Sequence, residues 1–355
     1  MLGTHTSEGE PNYLQIATVQ LPNADTQMDA RKFDEERGEF GGYGGSAQCR
    51  INIVQRIPHE GEVNRARYQP DNPTVLATKT NSGEVHIFDY TKHPSQPAPD
   101  ARCNPDLRLR GQIQEGYGLG WNVKATNLIA SSSDDMSVAV WDIKGGNAAN
   151  RILDPLRIWR KHTAVVGDVA WSWHSDHMLA SVGDDRNIFM WDVRQSGDDP
   201  VGQVSEAHKE EINCASWSPA NDFLLATGSS DQTVALWDSR KFDRPMHVLE
   251  GHHGDILQIA WSPHCDSVLA SAGTDRRVNV WDLSRIAMEQ DPEDAEDGPP
   301  ELLFIHGGHT SKVSDFSWNS NEPWALASVA EDNILQIWQM VCHLIIGFES
   351  FGGHL

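Results

Sequence analysis

Aspartate, histidine and a hydroxyl side chain recur together along this chain, and such a set could in principle perform acyl transfer. In hydrolases, a serine hydroxyl is activated by a histidine that an aspartate orients. Here the set recurs at one fixed spacing. Catalysis needs such a set once, so we interpret the recurrence as structural and predict that the protein is not an enzyme.

The spacing defines a repeat frame of six units, in which a histidine or its substitute is followed 29 residues later by an aromatic residue. The six pairs are His59 and Phe88, Gln112 and Trp141, His162 and Trp191, His208 and Trp237, His252 and Trp281, and His309 and Trp338. With the first residue of each pair as position 0, position +19 is always serine or threonine, and position +23 is aspartate in five units. Position +9 is Trp or Tyr, so the frame includes ten of the 13 tryptophans.

These recurring polar residues predict a buried hydrogen-bonded relay, because buried polar groups need partners. We expect the aspartate to accept a hydrogen bond from the histidine, the hydroxyl to meet the histidine, and the indole N–H to meet the hydroxyl. The predicted structural relay comprises His162, His208, His252, His309, Asp185, Asp231, Asp275, Asp332, Trp191, Trp237, Trp281 and Trp338.

No cofactor or metal site is predicted. His174 and His177 lack a third ligand placed by sequence, so we interpret them as turn residues. The glycine-rich stretch at 116–120 neither follows an apolar strand nor opens a helix, as a nucleotide-binding loop would.

Short apolar segments such as LLATGSS and VALWD, bounded by Gly, Asp and Asn, are typical of strands joined by tight turns. Four short strands per unit, ending in Trp-Asp, indicate a blade of an all-β WD-repeat β-propeller. The sequence divides into a remnant of blade one (1–57), six WD repeats (58–340) and an atypical apolar tail (341–355).

Composition favours a basic protein as partner. Acidic residues outnumber basic ones by 51 to 28, which disfavours direct nucleic-acid binding. The five cysteines form no CxxC pair and indicate reduced thiols inside the cell. Neither a signal peptide nor a run of 18 apolar residues is found, so we expect a soluble protein that is not secreted and not bound to a membrane.

Beyond the frame, the chain resembles the retinoblastoma-binding histone chaperones from about Leu2 to Met340, in loops as well as strands. The similar stretches include 59–68 (HEGEVNRARY), 103–111 (CNPDLRLRG), 227–238 (TGSSDQTVALWD) and 292–310 (PEDAEDGPPELLFIHGGHT). The resemblance implies a seven-bladed propeller in the nucleus. Its expected role is a histone-binding scaffold subunit of histone deacetylase, nucleosome-remodelling, chromatin-assembly and Polycomb complexes.

The chain departs from this family at both ends. It lacks the family's long N-terminal helix, and its last 15 residues look unrelated. We therefore expect blade one to be incomplete at the N-terminus. Segments 13–21 and 51–57 should supply two of its strands, with a glycine-rich loop between them.

The first candidate surface is the acidic insertion, residues 289–301, which carries seven carboxylates and no base and is followed by an apolar LLFI segment. By resemblance it would grip the first helix of histone H4. Glu293, Asp294 and Asp297 would pair with basic residues, and Phe304 and Ile305 would receive the apolar face.

The second candidate surface is the acidic face, formed by the loop that follows each frame histidine and opens around the propeller channel. Position +3 is acidic in four of six units, at Glu62, Glu115, Glu211 and Asp255. Such a face suits the basic tail of histone H3 or a similar peptide from a partner subunit. The resemblance points to Glu62, Asn64, Glu115, Tyr117, Asp184, Asp255, Leu257, Lys312 and Glu331, whereas Gly167 departs from an expected acidic residue.

An alternative function is a substrate receptor of a cullin-type ubiquitin ligase. The tetrapeptides WDVR (191–194) and WDSR (237–240) resemble the short box used for adaptor docking.

Overall fold

The protein is built almost entirely of β-strands. A computed structural model describes residues 1–6, 10–21, 33–34, 39–40, 51–146, 149–292 and 294–340. Within these residues the secondary structure consists of strands and short 3-10 helices, without an α-helix. Seven main sheets correspond to the blades of a β-propeller, so the predicted fold class, an all-β seven-bladed WD-repeat β-propeller, is confirmed.

The first three main sheets precede the repeat at His162. Sheet 1 contains β1 (Leu2–Gly3), β2 (Asn12–Val19) and β5 (Ile51–His59). Sheet 2 contains β6 (Val63–Tyr68), β7 (Val75–Thr80), β8 (Val85–Asp89), β9 (Leu107–Leu109) and β13 (Ile152–Leu153). Sheet 3 contains β10 (Leu119–Trp121), β11 (Leu128–Ser132), β12 (Val138–Asp142) and β14 (Arg157–Trp159). A separate hairpin joins β3 (Phe33–Asp34) and β4 (Glu39–Phe40).

The remaining four sheets follow the repeat frame closely. Sheet 4 contains β15 (Val166–Trp171), β16 (Met178–Gly183), β17 (Ile188–Asp192) and β18 (Gly202–Val204). Sheet 5 contains β19 (Ile212–Trp217), β20 (Leu224–Ser229), β21 (Thr233–Asp238) and β22 (His247–Glu250). Sheet 6 contains β23 (Ile256–Trp261), β24 (Val268–Gly273), β25 (Val278–Asp282) and β26 (Leu302–His306). Sheet 7 contains β27 (Val313–Trp318), β28 (Ala325–Ala330) and β29 (Leu335–Gln339).

In the described part of the chain, four 3-10 helices lie in the connections, at Tyr90–Lys92, Ile143–Gly145, Leu283–Arg285 and Asp294–Glu296. The chain divides into two compact units. The first unit is Met1–Trp171 with Val193–Asp199, and the second unit is Ser172–Asp192 with Pro200–Leu355.

Strands such as β20 and β21 are buried along almost their whole length because the sheet that contains them packs on both faces. In the second unit, Leu236 and Leu249 of sheet 5 pack with Ile256 and Leu269 of sheet 6 in one core cluster. Sheets 2 and 3 of the first unit share a similar cluster. Burial on both faces explains why these strands lack the polar alternation of a half-exposed sheet.

The tryptophan at position +9 ties four of the sheets to the preceding one. In the first unit, the Trp121 indole donates to the Arg67 carbonyl at 3.1 Å and the Trp171 indole donates to the Gly120 carbonyl at 3.0 Å. In the second unit, Trp261 donates to Ser216 and Trp318 to Ala260, at 3.0 and 3.1 Å. Every acceptor stands at position +8 of the preceding repeat, so this contact repeats with the frame.

The turn between the second and third strands of each repeat also repeats. Position +24 has a positive φ in all six units, at Gly83, Met136, Arg186, Gln232, Arg276 and Asn333. The aspartate at position +23 stabilises this turn by accepting the backbone N–H of position +25, as Asp231 does from Thr233 at 3.0 Å. Left-handed backbone is costly for residues other than glycine, which makes this turn a point of local strain.

Sheet 1 has one strand more than expected. The predicted segments 13–21 and 51–57 contribute to strands β2 and β5, which pair antiparallel, while the glycine-rich loop between them lies outside the described residues at 41–50. The additional strand β1 pairs with β2, and the Thr4 carbonyl accepts the Val63 N–H of sheet 2 at 3.1 Å. A Cβ on Gly3 would lie 2.4 Å from Val63 Cγ1, so only glycine allows this approach.

Candidate functional site: a hydrogen-bonded relay and two acidic surfaces

The relay is complete in the repeats that begin at His208 and His252. His208 Nδ1 lies 3.0 Å from Asp231 Oδ2, and its Nε2 lies 2.8 Å from the Thr227 hydroxyl. The Trp237 indole donates to the same hydroxyl at 2.8 Å. The threonine thus accepts from the indole and donates to Nε2, which leaves the Nδ1 proton for the carboxylate.

The repeat at His252 has the same geometry, with His252 2.8 Å from Asp275 and 2.7 Å from the Ser271 hydroxyl, which Trp281 reaches at 2.8 Å. Burial of the two aspartates opposes their ionisation. The hydrogen bonds from the histidines and from neighbouring groups together outweigh that effect and lower the pKa of Asp231 and Asp275.

Two other repeats show parts of the relay. His309 Nε2 lies 2.7 Å from the Ser328 hydroxyl, and the Trp338 indole donates to it at 3.1 Å. Its Nδ1 is 3.6 Å from Asp332 and has no hydrogen-bond partner, so the predicted contact with aspartate is not formed here. The Trp191 indole donates to the Ser181 hydroxyl at 2.8 Å, and His162 is buried while Asp185 is half-buried.

The first two units, which lie outside the predicted relay, make other contacts. His59 meets the Thr78 hydroxyl at 2.9 Å, but its Nδ1 lies 2.9 Å from the Gly61 carbonyl because Ser82 occupies the aspartate position. Gln112 donates to the Ser131 carbonyl at 3.1 Å instead of meeting the hydroxyl. The Trp141 indole consequently donates to the Arg110 carbonyl at 2.9 Å.

A buried lysine accompanies the histidine-to-glutamine change. Lys79 is fully buried, and its ammonium donates to Gln112 Oε1 at 2.7 Å and to the Gly83 carbonyl at 2.9 Å. Burial lowers the pKa of Lys79 to about 7, while Asp135 and Asp134 raise it. The amide oxygen of Gln112 accepts this hydrogen bond without changing its protonation state.

The relay groups are positioned for support and not for chemistry. Their histidines are 4 to 7% exposed wherever the frame has one, and each hydroxyl at position +19 is fully buried, leaving no approach for a substrate. The glycine-rich stretch at 116–120 also has a structural reason. A Cβ on Gly116 would lie 2.4 Å from the Ser132 carbonyl oxygen, and one on Gly118 would lie 2.8 Å from Asp168 Cα.

In the first unit, the acidic face brings two predicted residues into contact. The Asn64 amide donates to Glu115 Oε2 and to the Gly116 carbonyl, both at 3.2 Å. Its Oδ1 atom is buried and has no hydrogen-bond partner. Tyr117 is 46% exposed and two residues along from Glu115. This cluster offers a carboxylate, an unused amide oxygen and an aromatic ring, which together suit a cationic side chain.

Asp134 joins this cluster, although it is not among the residues predicted from the sequence. Its backbone N–H donates to the Glu115 carbonyl at 2.8 Å. Burial and the Glu115 carboxylate raise the pKa of Asp134, and Lys79 offsets the increase only in part. The frame could have identified this residue, since Asp134 stands at position +22, as do Asp184 and Glu331.

The other predicted residues of the acidic face differ in their surroundings. In the first unit, half-buried Glu62 lies 3.4 Å from His5. In the second unit, Asp184 and Asp255 are exposed and Leu257 is half-buried. Lys312 and Glu331 form an ion pair at 2.8 Å, so this pair adds little net charge to the face.

The acidic insertion keeps most of its carboxylates in solvent. Asp291, Asp294, Glu296 and Asp297 are exposed and form no ion pair with the residues that the structure describes, whereas Glu293 lies outside those residues. Glu301 does not belong with them, because it is 5% exposed and lies 2.8 Å from His247.

The apolar residues beside the insertion belong to strand β26. Phe304 and Ile305 are half-buried there, and the Phe304 ring packs 5.8 Å from the Trp338 ring. The predicted apolar floor is therefore partly built into the contact between sheets 6 and 7.

The remaining motifs have local roles. His174 lies 3.0 Å from Asp222, and His177 lies beside Asp176. Among the described residues, no group of three or more His, Cys, Asp or Glu could hold a metal ion, and no helix is long and apolar enough to cross a membrane. Arg240 of the WDSR tetrapeptide pairs with Asp238 at 2.8 Å and stacks 4.3 Å over the Phe223 ring.

Comparison with known families identifies the repeats. The WD40 family model, described as WD domain, G-beta repeat, matches residues 153–192, 200–238, 243–282 and 300–339. The matches contain the repeats that begin at His162, His208, His252 and His309, and each starts at or before the strand that precedes its histidine. WD40 propellers are generally non-enzymatic and suggest a scaffold or interaction protein. The four matched repeats and the seven main sheets fit a WD-repeat protein family.

Proposed function

We propose that this chain is a nuclear histone-binding scaffold of the retinoblastoma-binding chaperone type. In this role it would serve as a subunit of histone deacetylase, nucleosome-remodelling, chromatin-assembly and Polycomb complexes. It would bind histones H3 and H4 and basic peptides of partner subunits, without direct contact with nucleic acid or a membrane and without catalysis or a cofactor.

The observation that carries the proposal is the cluster of Asn64, Glu115, Tyr117 and Asp134 in the first unit. The unpartnered Asn64 Oδ1 is a buried acceptor whose lost hydrogen bond to water is costly. Glu115 and Asp134 add negative charge that Lys79 only partly offsets. A lysine or arginine of a bound peptide would supply the missing donor and the missing positive charge at once.

The acidic insertion supports the second part of the proposal, binding of the first helix of histone H4. Exposed Asp294 and Asp297 would pair with basic side chains of that helix, as we also expect of Glu293. The half-buried Phe304 and Ile305 offer apolar surface beside these carboxylates. An amphipathic basic helix combines both properties on neighbouring faces.

Calorimetry with an H3 tail peptide and an H4 first-helix peptide tests the two surfaces separately. The double variant Glu115→Lys with Asp255→Lys should abolish H3 binding and spare H4 binding, because it reverses charge on the acidic face alone. Asp294→Lys with Asp297→Lys should do the reverse. A matched control is Asp100→Lys with Asp243→Lys, which makes the same charge change at exposed positions outside both surfaces.

Binding of the H3 peptide should also weaken steeply as salt increases, since charge complementarity steers association and is screened by ions. If the control variant weakened H3 binding as much as the acidic-face variant, net charge alone would account for the interaction. The proposal of a built site would then be wrong.

A further inference from the structure

Next to the acidic cluster of the first unit lies a pair of exposed apolar side chains, Ile113 and Met136. Ile113 is 77% exposed, the highest value for a large hydrophobic residue in the described part of the chain, and Met136 is 42% exposed. Single exposed apolar residues need no explanation. These two, however, lie on two neighbouring segments that are joined by hydrogen bonds.

Hydrogen bonds hold the loop at 113–115 against the turn at 133–136. The Ile113 N–H donates to Asp135 Oδ2 at 3.0 Å, which places Ile113 beside the residue that precedes Met136. Two residues further along, the Glu115 carbonyl accepts the Asp134 N–H at 2.8 Å. The apolar residues Ile113 and Met136 therefore lie on the same two segments as the acidic residues Glu115 and Asp134, and each is two residues from its acidic neighbour.

The repeat frame gives neither apolar residue a structural role. Position +1 is otherwise polar, and position +24 carries a left-handed backbone that suits glycine or asparagine better than methionine. Because Met136 adopts this conformation while its side chain remains exposed, intramolecular packing does not explain why methionine occupies this position.

We propose that Ile113 and Met136 form an apolar subsite that selects basic peptides with an aliphatic or aromatic residue two positions from the bound cation. This inference rests on the proposed function, because the cation would occupy the cluster of Asn64, Glu115 and Asp134. Ile113 and Glu115 are two residues apart, a separation of at most about 7 Å along the chain. An extended peptide alongside them presents every second side chain to the same face at a matching interval.

Two ten-residue peptides test the subsite by fluorescence anisotropy. They share a central arginine and terminal lysines and differ only in having leucine or serine two residues from the arginine. The wild-type protein should bind the leucine peptide about five- to tenfold more tightly, which is the expected gain from partly burying one aliphatic side chain. In the variant Ile113→Gln with Met136→Gln, this ratio should fall to about one while the affinity for the serine peptide stays unchanged.

Two matched variants separate this inference from the proposed function. Glu115→Gln should weaken both peptides equally and keep their ratio. Met246→Gln, which changes an exposed methionine of the second unit, should alter nothing. Equal binding of both peptides by the wild-type protein would overturn the subsite and leave the proposed function standing, whereas binding of neither peptide would overturn both.

Self-association is the competing use of this apolar pair. If sedimentation showed a dimer that the Ile113→Gln, Met136→Gln variant converts to monomer, the pair would be a contact between copies and the subsite would be rejected. A monomeric wild-type protein with the expected peptide ratio supports the subsite.

Discussion

The repeat that begins at His252 and the one that begins at Gln112 share one frame and use it differently. In the repeat at His252, the relay side chains satisfy one another's hydrogen bonds, from Asp275 through His252 and Ser271 to Trp281. In the second, Gln112 pairs with Lys79 and the Trp141 indole turns to a backbone carbonyl. The irregular repeat also carries Glu115, Asp134, Ile113 and Met136. The relay residues of the complete repeat support the fold, whereas the altered repeat lacks that relay and carries further surface residues that are candidates for binding.

The largest expected effect is loss of a relay tryptophan. Trp237→Ala should lower the free energy of unfolding by about 3–5 kcal/mol, because it leaves a cavity and removes the donor to Thr227. Thermal or urea unfolding measures the change. Trp237→Phe keeps most of the ring and should cost much less, as Phe88 at the same frame position indicates. Unchanged stability of the alanine variant would contradict the structural role.

The buried Lys79, which pairs with Gln112 of the irregular repeat, should make the stability of the folded state depend on pH. Its lowered pKa means that the unfolded chain binds this proton more tightly than the folded one, so the stability of the folded state should increase as pH rises above 7. Between pH 7 and 9 the free energy of unfolding should rise by about 1–2 kcal/mol more in the wild type than in Lys79→Met.

The exposed Lys144 gives a matched control for that comparison. Lys144→Met should retain the pH dependence of the wild type. If Lys79→Met and the wild type followed the same pH profile, the pKa of Lys79 would not be lowered as its burial beside Gln112 implies.

The smallest expected effect concerns the strained turn at position +24. Gln232 has a φ of 71°, so Gln232→Gly should stabilise the protein or leave it unchanged, within about 1 kcal/mol. Gln203→Gly, in strand β18, should destabilise it by about the same amount. Chemical denaturation of the two variants gives the comparison. A clear loss of stability in Gln232→Gly would mean that the side chain matters more than the backbone.

Much of the fold was predictable because the frame repeats. Strands lie where the apolar segments predicted them. The complete relay formed in the repeats at His208 and His252, whereas at His309 the contact with Asp332 is not made although all three residue types are present. The contact between Lys79 and Gln112 was not predictable, since it joins different repeats across 33 residues. Glu301 was assigned to the acidic insertion from composition, but it is buried and contacts His247, which is 54 residues away in the sequence.

The candidate site was predictable only in part. Position +3 identified Glu115, and position +22 would have added Asp134. The pairing of Lys312 with Glu331 and the exposed pair of Ile113 and Met136 depend on how two loops lie together, which a linear pattern does not specify.

One paired measurement tests the division between supporting and binding residues most directly. The melting temperature and the dissociation constant for an H3 tail peptide are measured for Asp231→Asn and Glu115→Gln. Asp231→Asn should lower the melting temperature by several degrees and leave the dissociation constant unchanged, because Asp231 holds His208 in the relay. Glu115→Gln should weaken peptide binding at least tenfold and leave the melting temperature unchanged. The opposite pattern, with binding lost in Asp231→Asn and only stability lost in Glu115→Gln, would contradict this division between supporting and binding residues.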